Sequence, residues 1–292
     1  MFTVAGEDRF GTAVKLTQKV FENKTTNEAI LLSTDDLAIS MLSNTLAASL
    51  EAPILSTRRD SLPDITAHAL REYNPEKIIL FEKEKVSSDL LQAIKATCPD
   101  SELYHMHDPN LSSLSEKIYS YINPKSWGNT AVITHMGGSY DLMSLIPLIC
   151  KNKFPVFFCD ENFNLGKKTE EILRSGLIKT IVVLGDNEVV SDSSLTEYKN
   201  MDISISRLFA ENYYLANRII NDWCLKQQSY CVKNLIFVSV WQPSDALTIG
   251  PYASTTSSEI LLIDPQDLDC LSSAIEELES TNNSIETVSY TH

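Results

Sequence analysis

Apolar and polar positions follow two rhythms along this chain. Longer stretches with an apolar residue every third or fourth position predict amphipathic helices, and short continuous apolar runs between them predict buried strands. Phe2–Val4 reads as a short strand that turns at Gly6. Arg9 to about Glu22 follows as a helix, with Ala13, Leu16, Val20 and Phe21 on one face and Glu7 and Asp8 at its start. Ala29–Leu32 is the next strand, and Ser33–Asp36 is a polar loop able to cap the helix after it. Ile39–Thr57 is a helix running into a buried strand that Pro53 begins. A helix over about Leu62–Tyr73 is stopped by Asn74 and Pro75, and Lys77–Phe81 and Ser87–Ala96 add a strand and a helix. Alternation of this kind predicts right-handed crossovers and a parallel sheet covered on both faces.

The Ile39–Thr57 stretch returns as Asp141–Phe158 and again as Asp245–Leu262. Anchoring the copies on Pro53, Pro155 and Glu259 gives offsets of 102 and 104 residues, and Thr45, Pro147 and Pro251 then coincide without a gap. Downstream, Lys77–Phe81 answers Thr180–Leu184 and Ser284–Val288. A recurrence at this period predicts three copies of one α/β domain rather than a short-period solenoid. The units are placed at 1–100, 101–200 and 201–292, with Glu102–Met106 opening the second and Asp202–Ser206 the third. A helix over Gln266–Leu278 precedes the last strand, and the third unit is expected to lack the final helix of the first. No Gly-, Ser- or Pro-rich linker separates the units, so they should pack together.

Composition changes this picture little. The 292 residues are 43% apolar and 22% charged, an ordinary globular balance, and no run approaches the roughly 20 apolar residues of a membrane span. The formal charge of −15 repels nucleic acid and anionic membranes unless a local basic patch intervenes. Met1 leads directly into the first unit with no signal peptide. The chain is therefore expected at the cell surface if a leader was removed ahead of Met1, and in the cytoplasm otherwise.

Chemistry-bearing spacings are sparse. Six cysteines lie at irregular intervals, and Cys150, Cys159 and Cys224 fall in apolar runs where a free thiol acts as a small hydrophobe. His105 and His107 read as a strand end rather than a ligand pair. Gly137 and Gly138 fit a tight turn better than a phosphate cradle, because neither GxGxxG nor GK[ST] is present. Asp141 and Asp245 read as helix caps. Among the tryptophans, Trp223 and Trp241 fall in helix or strand patterns and read as core, which leaves Trp127 in a loop. These patterns predict no enzyme, no cofactor and no metal site.

Gly6-Glu-Asp-Arg-Phe-Gly-Thr-Ala13 resembles the G-x-D-R-[YF]-x-T-A signature of the clostridial-type cell wall binding repeat 2 family. Asp245-Ala-Leu247, Pro53-Ile-Leu55, and Val86-Ser87 with Val190-Ser191 match further family elements. The opening signature is worn at Leu208–Ala216 and barely present at His107–Asn110. The resemblance implies three tandem Rossmann-like or Toprim-like parallel-sheet domains packed as an internal pseudo-trimer around a pseudo-threefold axis. It further implies non-covalent anchoring of a surface protein on an anionic cell wall polysaccharide. A repurposed structural or partner-binding module is the alternative, and a small-ligand-binding enzyme a more distant one.

The residues proposed for polymer contact are Arg9, Pro53, Ile54, Leu55, Arg58, Arg59, Lys167 and Lys168. Arg9 at a helix start could grip an anion or pair with Asp8 or a carboxylate of a neighbouring unit. Arg58 and Arg59 follow a strand end, where ligands of parallel sheets bind. Lys167 and Lys168 are expected in the comparable loop of the second unit.

Overall fold

The computed structural model describes residues 4, 6–22, 26–227 and 230–264 and the backbone of 287–288. Its first segment runs α1 (Arg9–Phe21), β1 (Glu28–Leu32), α2 (Leu37–Leu50), β2 (Ile54–Ser56), α3 (Asp64–Tyr73), β3 (Lys77–Phe81), α4 (Ser88–Thr97) and β4 (Glu102–Met106). The second repeats that order with α5 (Leu111–Tyr121), β5 (Thr130–Thr134), α6 (Ser139–Asn152), β6 (Val156–Phe158), α7 (Lys167–Arg174), β7 (Thr180–Leu184), α8 (Asp192–Asn200) and β8 (Ser204–Leu208). The third contains α9 (Tyr213–Leu225), β9 (Asn234–Ser239), α10 (Gly250–Thr255), β10 (Ser258–Ile263) and β11 (Thr287–Val288). Of the expected opening strand, Phe2 and Thr3 lie outside the described residues and Val4 belongs to no strand. The helix expected over Gln266–Leu278 also lies outside them.

Three parallel sheets result, ordered β2-β1-β3-β4, β6-β5-β7-β8 and β10-β9-β11. Their registers coincide: Ile30 pairs with Ile54, Val132 with Val156, and Ile236 with Ile260, at the same sequence offset each time. The anchors Pro53, Pro155 and Glu259 therefore occupy the same place beside the central strand. The strands nearest them are sealed on both faces, with Leu31, Leu55, Phe157 and Ile260 fully buried, as parallel sheets between helical layers require.

Two strands are not where the repeat reading put them. Glu102–Met106 pairs with Lys77–Phe81 and closes the edge of the first sheet, and Ser204–Leu208 likewise pairs with Thr180–Leu184 in the second. Neither opens the following unit. The physical reason is that α4 and α8 are short crossovers that return the chain beside the strand it has just left.

The sheets meet through their helices. α2, α6 and α10 pack against one another, while α5 leans on α2, α9 on α6, and α1 on α10. Gly250 sits where these three helices converge. A side chain there would come within 2.8 Å of both Asn44 Oδ1 and Cys150 Sγ, so only glycine allows the approach. Asn44 closes the junction by donating to the Leu247 carbonyl (2.7 Å) and accepting from the Gly250 N–H (2.8 Å). Asn217 of α9 ties that helix to α6 and β10, its amide nitrogen donating to Ser144 Oγ and to the Ile260 carbonyl, both at 2.8 Å. In the third segment the helix expected from Asp245 is reduced to a 3-10 turn over Pro243–Ala246 and the short α10. Pro251 has no N–H to continue a helix and sits at its first turn instead. The Asp245 side chain lies outside the described part of the molecule.

Candidate functional site

The residues that open the chain build one wall of a cleft. Gly6 passes so close to α1 that a side chain on it would strike the backbone of Gly11 and Thr12, and its N–H donates to Thr12 Oγ1 at 2.9 Å. Asp8 caps α1 by accepting from the Gly11 N–H at 2.9 Å, the role its position at a helix start predicts. Phe10 and Ala13 are buried. Arg9 then projects towards the loop after β1 and pairs with Asp35 at 2.5 Å. Its partner is neither Asp8 nor a carboxylate of a neighbouring unit.

The cleft lies beyond the C-terminal ends of β1, β2 and β3. In the order β2-β1-β3-β4 the connections leave β1 in opposite directions, which opens a crevice where ligands of open α/β sheets bind. It has a volume of about 780 Å³ and is lined by Ser33–Asp35, Thr57–Asp60, Lys83–Ser87 and Arg9. Five cationic side chains (Arg9, Arg58, Arg59, Lys83, Lys85) face three carboxylates there (Asp35, Asp60, Glu84). Three of the cations are engaged. Arg9 holds Asp35, Arg59 holds Glu84, and Lys83 meets Asp36 at 2.7 Å, a hydrogen bond that raises the lysine pKa. Asp36 also caps α2 through the Ile39 N–H. Arg58 and Lys85 have no carboxylate partner among the described residues, and the Arg58 guanidinium lies 4.7 Å from the Phe10 ring centroid. Phe10 supports Arg9 from 4.8 Å as well, so one buried ring steadies two guanidinium groups.

The remaining expected contacts fall elsewhere. Pro53, Ile54 and Leu55 are buried in and beside β2; they position the Arg58–Arg59 turn and offer no surface to a polymer. Lys167 and Lys168 form the first turn of α7 instead of a loop, and they do not line the crevice of the second sheet. Asp141 lies in the first turn of α6, but the cap position is Gly138 and no side chain caps there.

The tryptophans also change places with their expectation. Trp127 is buried, donating to the Tyr119 carbonyl at 2.9 Å and stacked on the Tyr119 ring, whereas Trp241 is 62% exposed. His105 and Glu82 are bonded to each other at the edge of the first sheet, so the His105–His107 segment is a strand end as expected. Gly137 and Gly138 form a single 3-10 turn. Lys85 was missed by sequence reasoning; its only signal was a place after the strand paired to the other side of β1.

The equivalent crevice of the second sheet has the opposite character. It is lined by His135, Gly137, Asp141, Phe163, the Gly185–Val189 turn and residues 209–213, with no lysine or arginine among them. Burial pushes the Asp141 carboxyl up to about 6 and lowers the His135 imidazole pKa. Among the described residues, no group of three or more His, Cys, Asp and Glu is placed to hold a metal, and no helix is long and apolar enough to cross a membrane.

Residues 3–92 match the model of the family described as Cell wall binding domain 2 (CWB2). Over 235 residues, 79% of its length, the chain is 25% identical to the N-acetylmuramoyl-L-alanine amidase LytC of Bacillus subtilis (strain 168), of which it covers 45%. Over 280 residues, 95% of its length, it is 22% identical to the amidase enhancer of the same organism, covering 36% of that protein. Among solved structures, Cwp6 from Clostridium difficile is similar over 98% of this chain and 44% of that one, with a TM-score of 0.81 at 18% identity. Cwp8 from the same organism is similar over 89% and 44%, with a TM-score of 0.74 at 22% identity. These likenesses show the fold. The chain spans less than half the length of each of these relatives.

Proposed function

We propose, from the match of residues 3–92 to the Cell wall binding domain 2 model, that the chain is a cell wall binding module. It holds an anionic cell wall polysaccharide non-covalently in the cleft of its first sheet and so retains a surface protein at the wall. The observation that carries the reading is the pair Arg58 and Lys85, which face the cleft without carboxylate partners among the described residues, in a chain of net charge −15. An excess of cation maintained against that background suits phosphate or carboxylate groups spaced along a polymer. We read the mutual packing of α2, α6 and α10 as the centre of a pseudo-threefold arrangement of three repeats, with the cuts after β4 and β8. The proposed role involves no catalysis. Its buried thiols are held in the unreactive form, that of Cys159 pushed up to about 12 by burial.

Co-sedimentation with purified Gram-positive walls tests this, using one sample intact and one stripped of anionic polysaccharide by hydrofluoric acid. The chain should pellet with intact walls and stay in the supernatant with stripped ones. Equal retention on both would assign the ligand to peptidoglycan, and release of soluble sugar or peptide from the wall would refute the non-catalytic role.

A further inference from the structure

The second sheet presents an interaction surface of its own, and it does not depend on the polymer reading. Its crevice, at the C-terminal ends of β5 and β7, has a volume of about 250 Å³. Small-molecule pockets usually occupy about 300–1,000 Å³, so this space suits one or two side chains better than a whole cofactor. Asp141 lies in it from α6, Asp186 and Glu188 from the turn after β7, and Glu211 from the approach to α9. Neither Glu188 nor Glu211 has a cationic partner among the described residues. Arg207 approaches the same turn, but its guanidinium is committed to the carbonyls of Gly185, Asp186 and Val190 and to Asp192.

Aromatic rings share the crevice with these acids. Phe163, Phe209 and Tyr213 are each exposed by 42–49%, and Met136 beside them by 67%. Phe163 is held outward at φ 59°, an unusual conformation for a bulky residue. The turn that holds it there is fixed by Asp160, whose carboxylate accepts from the Asn162 and Asn164 N–H groups at 2.8 Å. Exposed rings beside unpaired carboxylates have one complementary chemistry, a cation carried on an apolar stem.

We propose that this crevice docks a basic segment of a protein partner, an arginine or lysine entering between the rings towards Asp141, Glu188 and Glu211. The same place in the fold thus carries opposite charge in neighbouring units. The first sheet draws an anion, and the second draws a cation.

Fluorescence anisotropy of a labelled pentapeptide of alternating arginine and phenylalanine measures this directly on the full chain. A chain of charge −15 attracts any basic peptide weakly, so position must be separated from net charge. Glu188→Lys with Glu211→Lys should weaken binding at least tenfold. Glu76→Lys with Asp100→Lys, an equal change of net charge at exposed sites on the first unit, should alter it less than about twofold. Melting temperatures verify that all variants fold. Equal weakening in both double variants, or no weakening in the first, overturns the proposal. So does calcium binding at the crevice with no saturable binding of the peptide.

Discussion

Asp141 is a carboxyl held in an unfavourable place. Burial raises its pKa to about 6, above the value near 3.9 expected of an unfolded chain. The folded state therefore takes up a proton more readily than the unfolded state at mildly acidic pH. The stability this group contributes is complete below about pH 4 and is lost as pH rises through about 6. The nearby His135, Asp186, Glu188 and Glu211 share the crevice, so the comparison must be made at matched ionic strength. Asp141→Asn should raise stability at pH 7 by on the order of 1–2 kcal/mol, after discounting for partial exposure, and flatten the pH profile between 4 and 7. Chemical denaturation at both pH values checks this. Gly6 and Asp8 of the opening signature were legible because their roles are local, a close turn and a helix cap, whereas the partner of Arg9 comes from the loop after β1 and was not. Pro53, Ile54 and Leu55 were misread because a recurring apolar triplet does not reveal which of its faces, if any, meets solvent.

Helices and strands were readable wherever one periodicity held without competition. β1, β3 and β7 are nearly continuous apolar runs buried among neighbours, and their limits fall within a residue of expectation. β4 and β8 are edge strands with half-exposed, partly polar faces. Nothing in such a strand states whether it ends one sheet or begins the next, because that is decided by pairing with a distant partner. The junction of α2, α6 and α10 was invisible for the same reason. Asn44 is fully buried there, with both ends of its amide in use across the junction. Asn44→Ala leaves the Gly250 N–H and a share of the Leu247 carbonyl unsatisfied, at about 1–3 kcal/mol in addition to the cavity. A loss of about 3 kcal/mol in urea denaturation is the expected outcome. A loss below about 0.5 kcal/mol would show that the helices are held together by apolar packing alone.

For the whole molecule, the charge of −15 and the cationic cleft act over different distances. The general repulsion of a polyanion extends through solvent and is screened within about 10 Å at 0.1 M salt, whereas contacts in the cleft are short-ranged and yield only at higher salt. Wall retention should therefore rise between about 10 and 150 mM salt and fall towards 1 M. A steady fall from the lowest salt would mean that attraction dominates at long range. The shared strand register of the sheets was legible as a period of a little over 100 residues, but the opposite charge of the first two crevices was not. Arg58 and Arg59 suggested one basic loop, while the acids that invert the second crevice come from three separated segments that only the fold brings together.

The proposed wall binding rests on the cations of the cleft, of which Arg58, without a carboxylate partner among the described residues, and its neighbour Arg59 are both exposed on the turn after β2. Arg59 makes a surface ion pair with Glu84, and Arg58 lies over Phe10. Removing such contacts costs stability on the order of 1 kcal/mol or less. The most direct measurement is the fraction of the Arg58→Ala, Arg59→Ala double variant that pellets with intact walls, taken beside its melting temperature. The account predicts that retention is lost while the melting temperature moves by no more than a few degrees. Retention equal to that of the unaltered chain would contradict it.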